Sequence, residues 1–67
     1  MYRFKSEKKQ IVKLFNKNEV ANIIGIHPVT LRNILNGKQT CSKLVAYCIT
    51  KFLNSEAEIL DYFERVS

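Results

Sequence analysis

NEVANIIGIHPVTLRNILNG, residues 18–37, is the stretch from which the rest of the chain is interpreted. Apolar residues recur at helical spacing in both of its halves, which predicts two short helices. Gly25, Ile26 and His27 separate them, and glycine readily adopts the left-handed conformation that ends a helix. Pro28 follows, and proline is tolerated at the first position of a helix because its missing N–H would have no intrahelical partner there. The stretch therefore predicts two helices joined by a sharp turn.

Several residues in this stretch have a structural role that follows from their size or conformation. Asn18 can cap the first helix of this pair. Ala21 is small because the second helix of the pair must cross the first closely. Gly25 permits the turn, and Ile26 fills the angle between the helices. The residues expected to face the interior are Val20, Ala21, Ile24, Ile26, Leu31, Ile34 and Leu35.

The pattern resembles that of the Cro/C1-type, lambda-repressor-like helix-turn-helix family. That pattern reads hydrophobic-Ala-x-x-hydrophobic-Gly-hydrophobic-Ser/Thr, then a later buried position and a closing Asn-Gly. The matching residues are Val20, Ala21, Ile24, Gly25, Ile26, Leu31, Ile34, Asn36 and Gly37. The resemblance covers this motif only. It implies a sequence-specific, double-stranded DNA-binding regulator, a small phage- or plasmid-type repressor.

The second helix of the motif would present its solvent side to a major groove. There Val29 and the Thr30 methyl could touch thymine methyls, Asn33 could pair with adenine, and Arg32 could read guanine or hold a phosphate. His27 departs from the family pattern, which has Ser or Thr, and either contacts DNA or is a neutral surface residue. Pro28-Val29 also departs from it, where polar base-reading residues are usual. The alternative is an ordinary helix face. The candidate base-reading residues are His27, Val29, Thr30, Arg32 and Asn33.

Phosphate contacts are expected from the two ends of the motif, as in the resembled family. The candidates are Lys17, Asn18, Asn36, Lys38, Thr40 and Lys43. If about six phosphates are neutralised per monomer or dimer, affinity should fall with about the sixth power of the salt concentration.

Charge is distributed unevenly along the chain. Residues 1–54 carry ten basic and two acidic side chains, whereas residues 55–67 carry one basic and four acidic ones. The basic part would attract a polyanion, which would repel the acidic tail. A merely solvated lysine surface is the alternative. No apolar run reaches the length of about 20 residues that spans a bilayer, so we expect a soluble cytoplasmic protein of a bacterial or phage-infected cell.

Helix-start signals place further helices outside the motif. Ser6 can cap a first helix that begins near Glu7, and Thr40 or Ser42 can cap a fourth that ends near Asn54. The side chains expected to face inward are Ile11, Leu14 and Phe15 in the first helix, and Leu44, Val45, Cys48, Ile49 and Phe52 in the fourth.

The two ends of the chain complete the predicted fold. Residues 2–5 alternate apolar and basic, and are either a short extended arm or a frayed start. Residues 55–58 match a capping box, which predicts a fifth helix. The resulting fold class is all-α: a single domain, residues 1–67, in which about five short helices form a compact bundle around the helix-turn-helix.

The fifth helix is the element expected to form a homodimer, because its apolar stripe exceeds what so short a bundle can cover. The expected dimer residues are Ile59, Tyr62, Phe63 and Val66. The alternative is that this stripe packs on the rest of the bundle. A protein partner is a further possibility, since Pro28 and Val29 suit a phage-type inhibitor or adaptor that kept the fold but not DNA readout. Excisionase-like binding is less favoured because no wing hairpin is evident.

Catalytic, metal and cofactor chemistry is not expected. The chain has one histidine, no phosphate-binding glycine loop and no set of convergent zinc ligands, so an enzyme is improbable. Cys41 and Cys48 would lie about 10 Å apart on one helix, too far for a disulfide. We expect two free thiols, with Cys48 in the core and Cys41 at a helix start.

Overall fold

The computed structural model describes residues 1–14 and 16–66, apart from the side chains of Lys9, Val12 and Leu14. The elements in chain order are β1 (Tyr2–Phe4), a 3₁₀ helix (Ser6–Leu14), α1 (Lys17–Ile24), α2 (Pro28–Leu35), α3 (Lys43–Leu53), α4 (Ile59–Tyr62) and β2 (Phe63–Arg65). The all-α prediction of five helices is wrong. In the described residues, four α-helices accompany a two-stranded antiparallel sheet, and the chain is 60% helical when the 3₁₀ helix is included.

The segment before α1 differs from the predicted first helix. Ser6–Leu14 forms a 3₁₀ helix, and the side chain of Ile11 is half-buried in it. The predicted inward placement of Leu14 and Phe15 lies outside the described residues. Asn16, rather than Asn18, caps α1, because its side-chain oxygen accepts a hydrogen bond from the Glu19 N–H at 3.1 Å.

Helix α3 has the predicted ends, and Val45 and Ile49 face the core as predicted, but the rest of its inward face differs from the prediction. Ser42 caps its start by accepting a hydrogen bond from the Val45 N–H at 3.3 Å, and Asn54 is its C-cap. Its buried residues are Ala46, Ile49 and Thr50. The predicted inward residues Leu44, Cys48 and Phe52 instead lie toward solvent, with Leu44 72% and Phe52 43% exposed and Cys48 half-buried.

Small side chains explain the rotation of α3. Ala46 and Thr50 are completely buried, and small residues there let the neighbouring elements approach closely. The Thr50 hydroxyl has no hydrogen-bond partner within the described part of the chain.

No helix in residues 1–14 and 16–66 is both long and apolar enough to cross a membrane.

The C-terminal segment is mostly not the predicted helix. Within residues 55–66 the only helical turn is α4, which begins at Ile59 rather than after Ser55. The Glu58 N–H donates to the Asp61 carboxylate at 2.8 Å. The chain then becomes strand β2. Its register against β1 pairs Tyr2 with Arg65, Arg3 with Glu64 and Phe4 with Phe63.

Strand β1 ties the two ends of the chain to the core. The rings of Phe4 and Phe63 meet edge to face at 5.2 Å between centroids, and both are almost completely buried. On the other edge of β1, Tyr2 and Cys41 exchange two backbone hydrogen bonds of 2.8 Å. The core that results comprises Phe4, Val20, Ala21, Leu31, Ile34, Leu35, Cys41, Ala46, Ile49 and Phe63.

Both cysteines are free thiols, as predicted from their spacing. Cys41 precedes α3 and is buried, and this burial raises the pKa of its thiol to about 11. Cys48 is only half-buried, so the prediction that it lies in the core is wrong, whereas Cys41 does belong to the core.

Candidate nucleic-acid interface

Helices α1 and α2 form a unit around a three-residue turn. The N–H groups of Gly25 and Ile26 both donate to the carbonyl oxygen of Ala21, at 2.8 and 3.0 Å. Gly25 has a φ of 92°, in the left-handed region that a glycine adopts without strain. Ala21 and Leu31 are fully buried between the helices and the core. The predicted pair of helices is therefore present, with α1 beginning at Lys17, two residues earlier than expected.

Helix α2 separates its residues clearly between core and solvent. Its apolar residues Leu31, Ile34 and Leu35 are buried. Val29 is 46% exposed and Arg32 is exposed. Thr30 and Asn33 are half-buried. Because residues three and four apart share a helix face, Val29, Arg32 and Asn33 form one continuous strip on α2.

The side chain of His27 caps α2. Its Nδ1 accepts a hydrogen bond from the Val29 N–H at 3.1 Å, although the side chain is otherwise exposed. A neutral imidazole that accepts at Nδ1 carries its proton on Nε2. His27 thus performs the capping task that Ser or Thr has in the resembled family, and its Nε2–H is a donor beside the α2 strip.

Replacing His27 by alanine is expected to lower the free energy of unfolding by about 1 kcal/mol, because the Val29 N–H loses its acceptor. His27→Ser should restore most of that stability, since a serine hydroxyl caps the same amide. Thermal denaturation followed by circular dichroism measures both variants. Equal melting temperatures for wild type and His27→Ala would contradict the capping role.

The candidate phosphate-contacting residues lie in three places, the third being Lys43 at the start of α3. Lys17 and Asn18 are in the first turn of α1, whereas Asn36, Lys38 and Thr40 follow α2. The second group is held against α2, because the N–H groups of Gly37 and Lys38 donate to the carbonyl oxygens of Ile34 and Asn33, both at 3.0 Å. Of the six candidates, the exposed ones are Asn18, Asn36, Lys38 and Lys43, and the half-buried ones are Lys17 and Thr40.

The structure brings some candidates together and leaves others apart. The loop after α2 is hydrogen-bonded to the same helix that carries Arg32 and Asn33, so these residues form one surface. Lys43 instead opens α3 and lines a groove with Tyr47 and Leu60.

Asn16 was not predicted from the sequence as the N-cap of α1. A signal for it exists in Asn16-x-x-Glu19, which has the spacing of a capping box.

The predicted dimer stripe is not available as a helix face. Phe63 is completely buried in the core and belongs to β2, so it cannot contact a partner. Ile59 and Tyr62 are half-buried and pack against the core. The Val66 N–H donates to the Met1 carbonyl oxygen at 2.8 Å, beside the sheet. A stripe that joins these four residues would require a continuous helix through 66, which is absent from the described chain.

Metal-binding clusters and similarities to known proteins provide no further assignment. Within residues 1–14 and 16–66, no three His, Cys, Asp or Glu side chains are grouped to hold a metal ion. No protein-family model matches the chain, and neither a curated protein nor a solved structure shows significant similarity to it.

Proposed function

We propose that this protein is a sequence-specific, double-stranded DNA-binding transcriptional regulator, a small repressor of the Cro/C1 type from a phage or plasmid, acting in the bacterial cytoplasm. The observation that carries the proposal is the strip on α2. A short helix buries its apolar side against α1 and the core, and its outer side offers Val29, Arg32 and Asn33. A helix that presents such side chains can enter the major groove.

Each residue of the strip has a chemical role in this proposal. The Asn33 amide pairs with the N6 and N7 atoms of adenine, since it has one donor and one acceptor at the required spacing. The Arg32 guanidinium binds guanine or a neighbouring phosphate. Val29 and the Thr30 methyl contact thymine methyl groups. The Nε2–H of His27 donates to a phosphate or to a base acceptor at the start of the helix.

Backbone contacts would set the register of the protein on the duplex. Lys38, Asn36 and Thr40 follow α2 directly, and Lys17 and Asn18 open α1. The net charge of +5 attracts DNA at long range, while the acidic side chains after residue 54 are repelled by it. Affinity would therefore come mainly from the lysines and the overall positive charge, and sequence preference from α2.

The decisive experiment selects binding sites from random duplexes and then compares variants on the preferred site. Asn33→Ala should weaken specific binding by about 10-fold or more, corresponding to a loss of about 1–3 kcal/mol, and should relax the preference at one base pair. Arg32→Ala should either relax a second position or weaken all sequences equally. Arg65→Ala is the charge-matched control, because Arg65 is exposed on β2. An unchanged sequence preference in both α2 variants would contradict the proposal.

A second candidate function is that of an adaptor that binds a protein through the same helix. The observation in its favour is Val29, which is 46% exposed at the start of α2, beside the half-buried Pro28. Apolar groups at this position suit a protein surface. Titration with random duplex DNA at low salt separates the two candidates. A regulator binds the duplex weakly and releases it when salt is added, whereas an adaptor does not bind it.

A further inference from the structure

A shallow groove of about 390 Å³ lies between α3 and the segment that leads into α4. Tyr47 and Lys51 line it from α3, Ile59 and Leu60 line it from the other side, and Tyr2 of β1 also contributes. None of the candidate base-reading residues of α2 belongs to this lining. The groove is therefore separate from the α2 strip, and DNA recognition by α2 assigns no role to it.

The size of the groove suits a small organic molecule. Ligand pockets usually have volumes of about 300–1,000 Å³, so this groove lies near the lower limit. At about 30 Å³ for each molecule of liquid water, its volume equals that of about 13 waters, which is the space of roughly a dozen non-hydrogen atoms. A single helical turn, about 10–12 Å wide and about 5.4 Å long, already has a larger volume. A helix of a protein partner could therefore cover the groove but not enter it.

The walls of the groove combine aromatic and aliphatic side chains. Tyr47 is 51% exposed and Leu60 is 61% exposed, so this part of the lining is in contact with water. Tyr2 and Ile59 are half-buried and pack against the core, which fixes the other part of the lining. Aromatic rings attract one another in offset-stacked or edge-to-face arrangements, beyond the effect of buried area alone. The two tyrosines therefore favour a ligand that contains a planar aromatic ring.

The charged groups around the groove are mainly cations. Lys43 and Lys51 belong to the lining, and the Lys5 ammonium donates to the carbonyl oxygen of the lining residue Leu60 at 2.6 Å. Glu58 is the one anion among the lining residues that the structure describes. The net charge of +5 of the whole chain adds to the positive potential. A ligand that carries a carboxylate is therefore favoured over one that carries an ammonium group.

Of the two lysines in the lining, Lys51 is bound to the protein and Lys43 extends into solvent. The Lys51 ammonium donates to the carbonyl oxygens of Ala57 at 2.7 Å and Ser55 at 3.3 Å, and it lies 5.4 Å from the centre of the Tyr47 ring. These contacts attach the segment before α4 to α3, so the groove is formed before a ligand arrives, which favours binding. Lys43 is exposed at the start of α3, and its flexible stem lets its ammonium reach a carboxylate in the groove.

We propose that this groove binds a small aromatic carboxylate, an anion of roughly a dozen non-hydrogen atoms. The ring of the ligand packs against Tyr2, Tyr47 and Leu60. Its carboxylate pairs with Lys43 and points away from Glu58. The complex is weak, because the groove is shallow and the ion pair is exposed to water. The usual ligand efficiency of small organic molecules gives a dissociation constant of about 1 mM for a ligand of about 13 non-hydrogen atoms.

Fluorescence anisotropy of indole-3-acetate tests this proposal, because the chain contains no tryptophan. At an excitation wavelength that tyrosine does not absorb, the indole ring of the ligand is the only emitter. Titration of the full chain into the ligand at low salt should raise the anisotropy with a dissociation constant of about 1 mM. Tryptophol, which has an alcohol in place of the carboxylate, should bind about fivefold more weakly, the effect of one exposed ion pair. Tryptamine should bind more weakly still, because Lys43 repels its ammonium group.

Two variants, each with a matched control, locate the ligand on the chain. Lys43→Gln should weaken the binding of indole-3-acetate about fivefold and leave that of tryptophol unchanged. Lys38→Gln removes the same charge from the loop after α2 and should change neither. Tyr47→Ala should weaken all three ligands by at least about fivefold, because it removes an aromatic contact. Phe52→Ala should have no effect, since Phe52 is exposed on α3 and is not among the described lining residues.

Circular dichroism should show that all four variants are folded, as expected for substitutions at exposed positions. Three results would overturn the proposal: no rise in anisotropy at about 3 mM protein, tryptamine binding as tightly as indole-3-acetate, or equal losses in a variant and its matched control. All of these measurements are made without DNA, so their outcome is independent of whether the proposed function is correct.

Discussion

Phe63→Ala is expected to lower the free energy of unfolding by about 3–5 kcal/mol. The side chain is completely buried, and its ring packs edge to face on Phe4, its partner in the β1–β2 register. Alanine would leave a cavity next to Phe4 that the short sheet cannot close. A domain of this length has a total stability of about 3–10 kcal/mol at 0.05–0.15 kcal/mol per residue, so the substitution should remove about a third of that stability or more.

Urea denaturation followed by circular dichroism measures this loss, and Phe52→Ala is its matched control. Phe52 is also a phenylalanine, but it is 43% exposed on the outer face of α3. Its truncation removes less apolar area from contact with the protein and should cost about 1 kcal/mol or less. If the two variants lost equal stability, Phe63 would not be a core residue, and the C-terminal segment would not form β2.

The second large effect is the dependence of DNA-binding affinity on salt concentration. If about six phosphates are neutralised per monomer or dimer, affinity should fall about a thousandfold or more between 50 and 200 mM salt. The measurement is fluorescence anisotropy of a labelled duplex that contains the selected site. A slope near zero on the logarithmic plot would exclude phosphate binding and favour the adaptor function.

Single lysines refine this salt experiment. Lys38→Ala should reduce the magnitude of the slope by about one, because Lys38 is exposed in the loop that is hydrogen-bonded to α2. Arg65→Ala removes the same charge from β2 and should leave the slope unchanged. Equal changes in both variants would indicate that only the overall charge attracts DNA, and not a defined surface.

The helix-turn-helix was predictable because its signals are local. Gly25 ends α1 through its own backbone conformation, and Pro28 begins α2 through its fixed φ, so neither depends on distant contacts. The exposed positions of Val29 and Arg32 follow from the burial of Leu31 and Ile34 on the other side of the same short helix. This part of the candidate site therefore follows from residues 18–37, whereas its binding to DNA remains a prediction.

The errors arose where a distant contact decides the structure. Leu60, Phe63 and Val66 have helical spacing, but Phe63 also pairs with Phe4, some sixty residues away, and that pairing makes residues 63–65 a strand. Local periodicity contains no information about a partner at that separation. The His27 cap is a local contact that the sequence did not decide, because the Nδ1 atom accepts a hydrogen bond only in the tautomer that carries its proton on Nε2.

Helix α3 shows a different source of error. Apolar residues occur on both of its sides, so the hydrophobic pattern does not specify which side faces the core. The interior is formed by the smaller residues Ala46 and Thr50 together with Ile49, and the larger Leu44 and Phe52 remain outside. The rotation of α3 about its axis is therefore set by the side-chain volume that fits in the core, and not by hydrophobicity alone.

Of the described elements, β1 is synthesised first and β2 last. The two strands therefore cannot pair during most of translation. Until residues 63–65 emerge, Phe4 has no ring opposite it and one edge of β1 has no hydrogen-bond partner. A nascent chain that stalls before Phe63 therefore carries the segments of α1 to α4 without the ring that fills their core. Exposed apolar groups and an unpaired strand edge are features that favour aggregation and proteolysis. Arrested translation products of this protein should accordingly be cleared by quality control rather than accumulate as folded fragments.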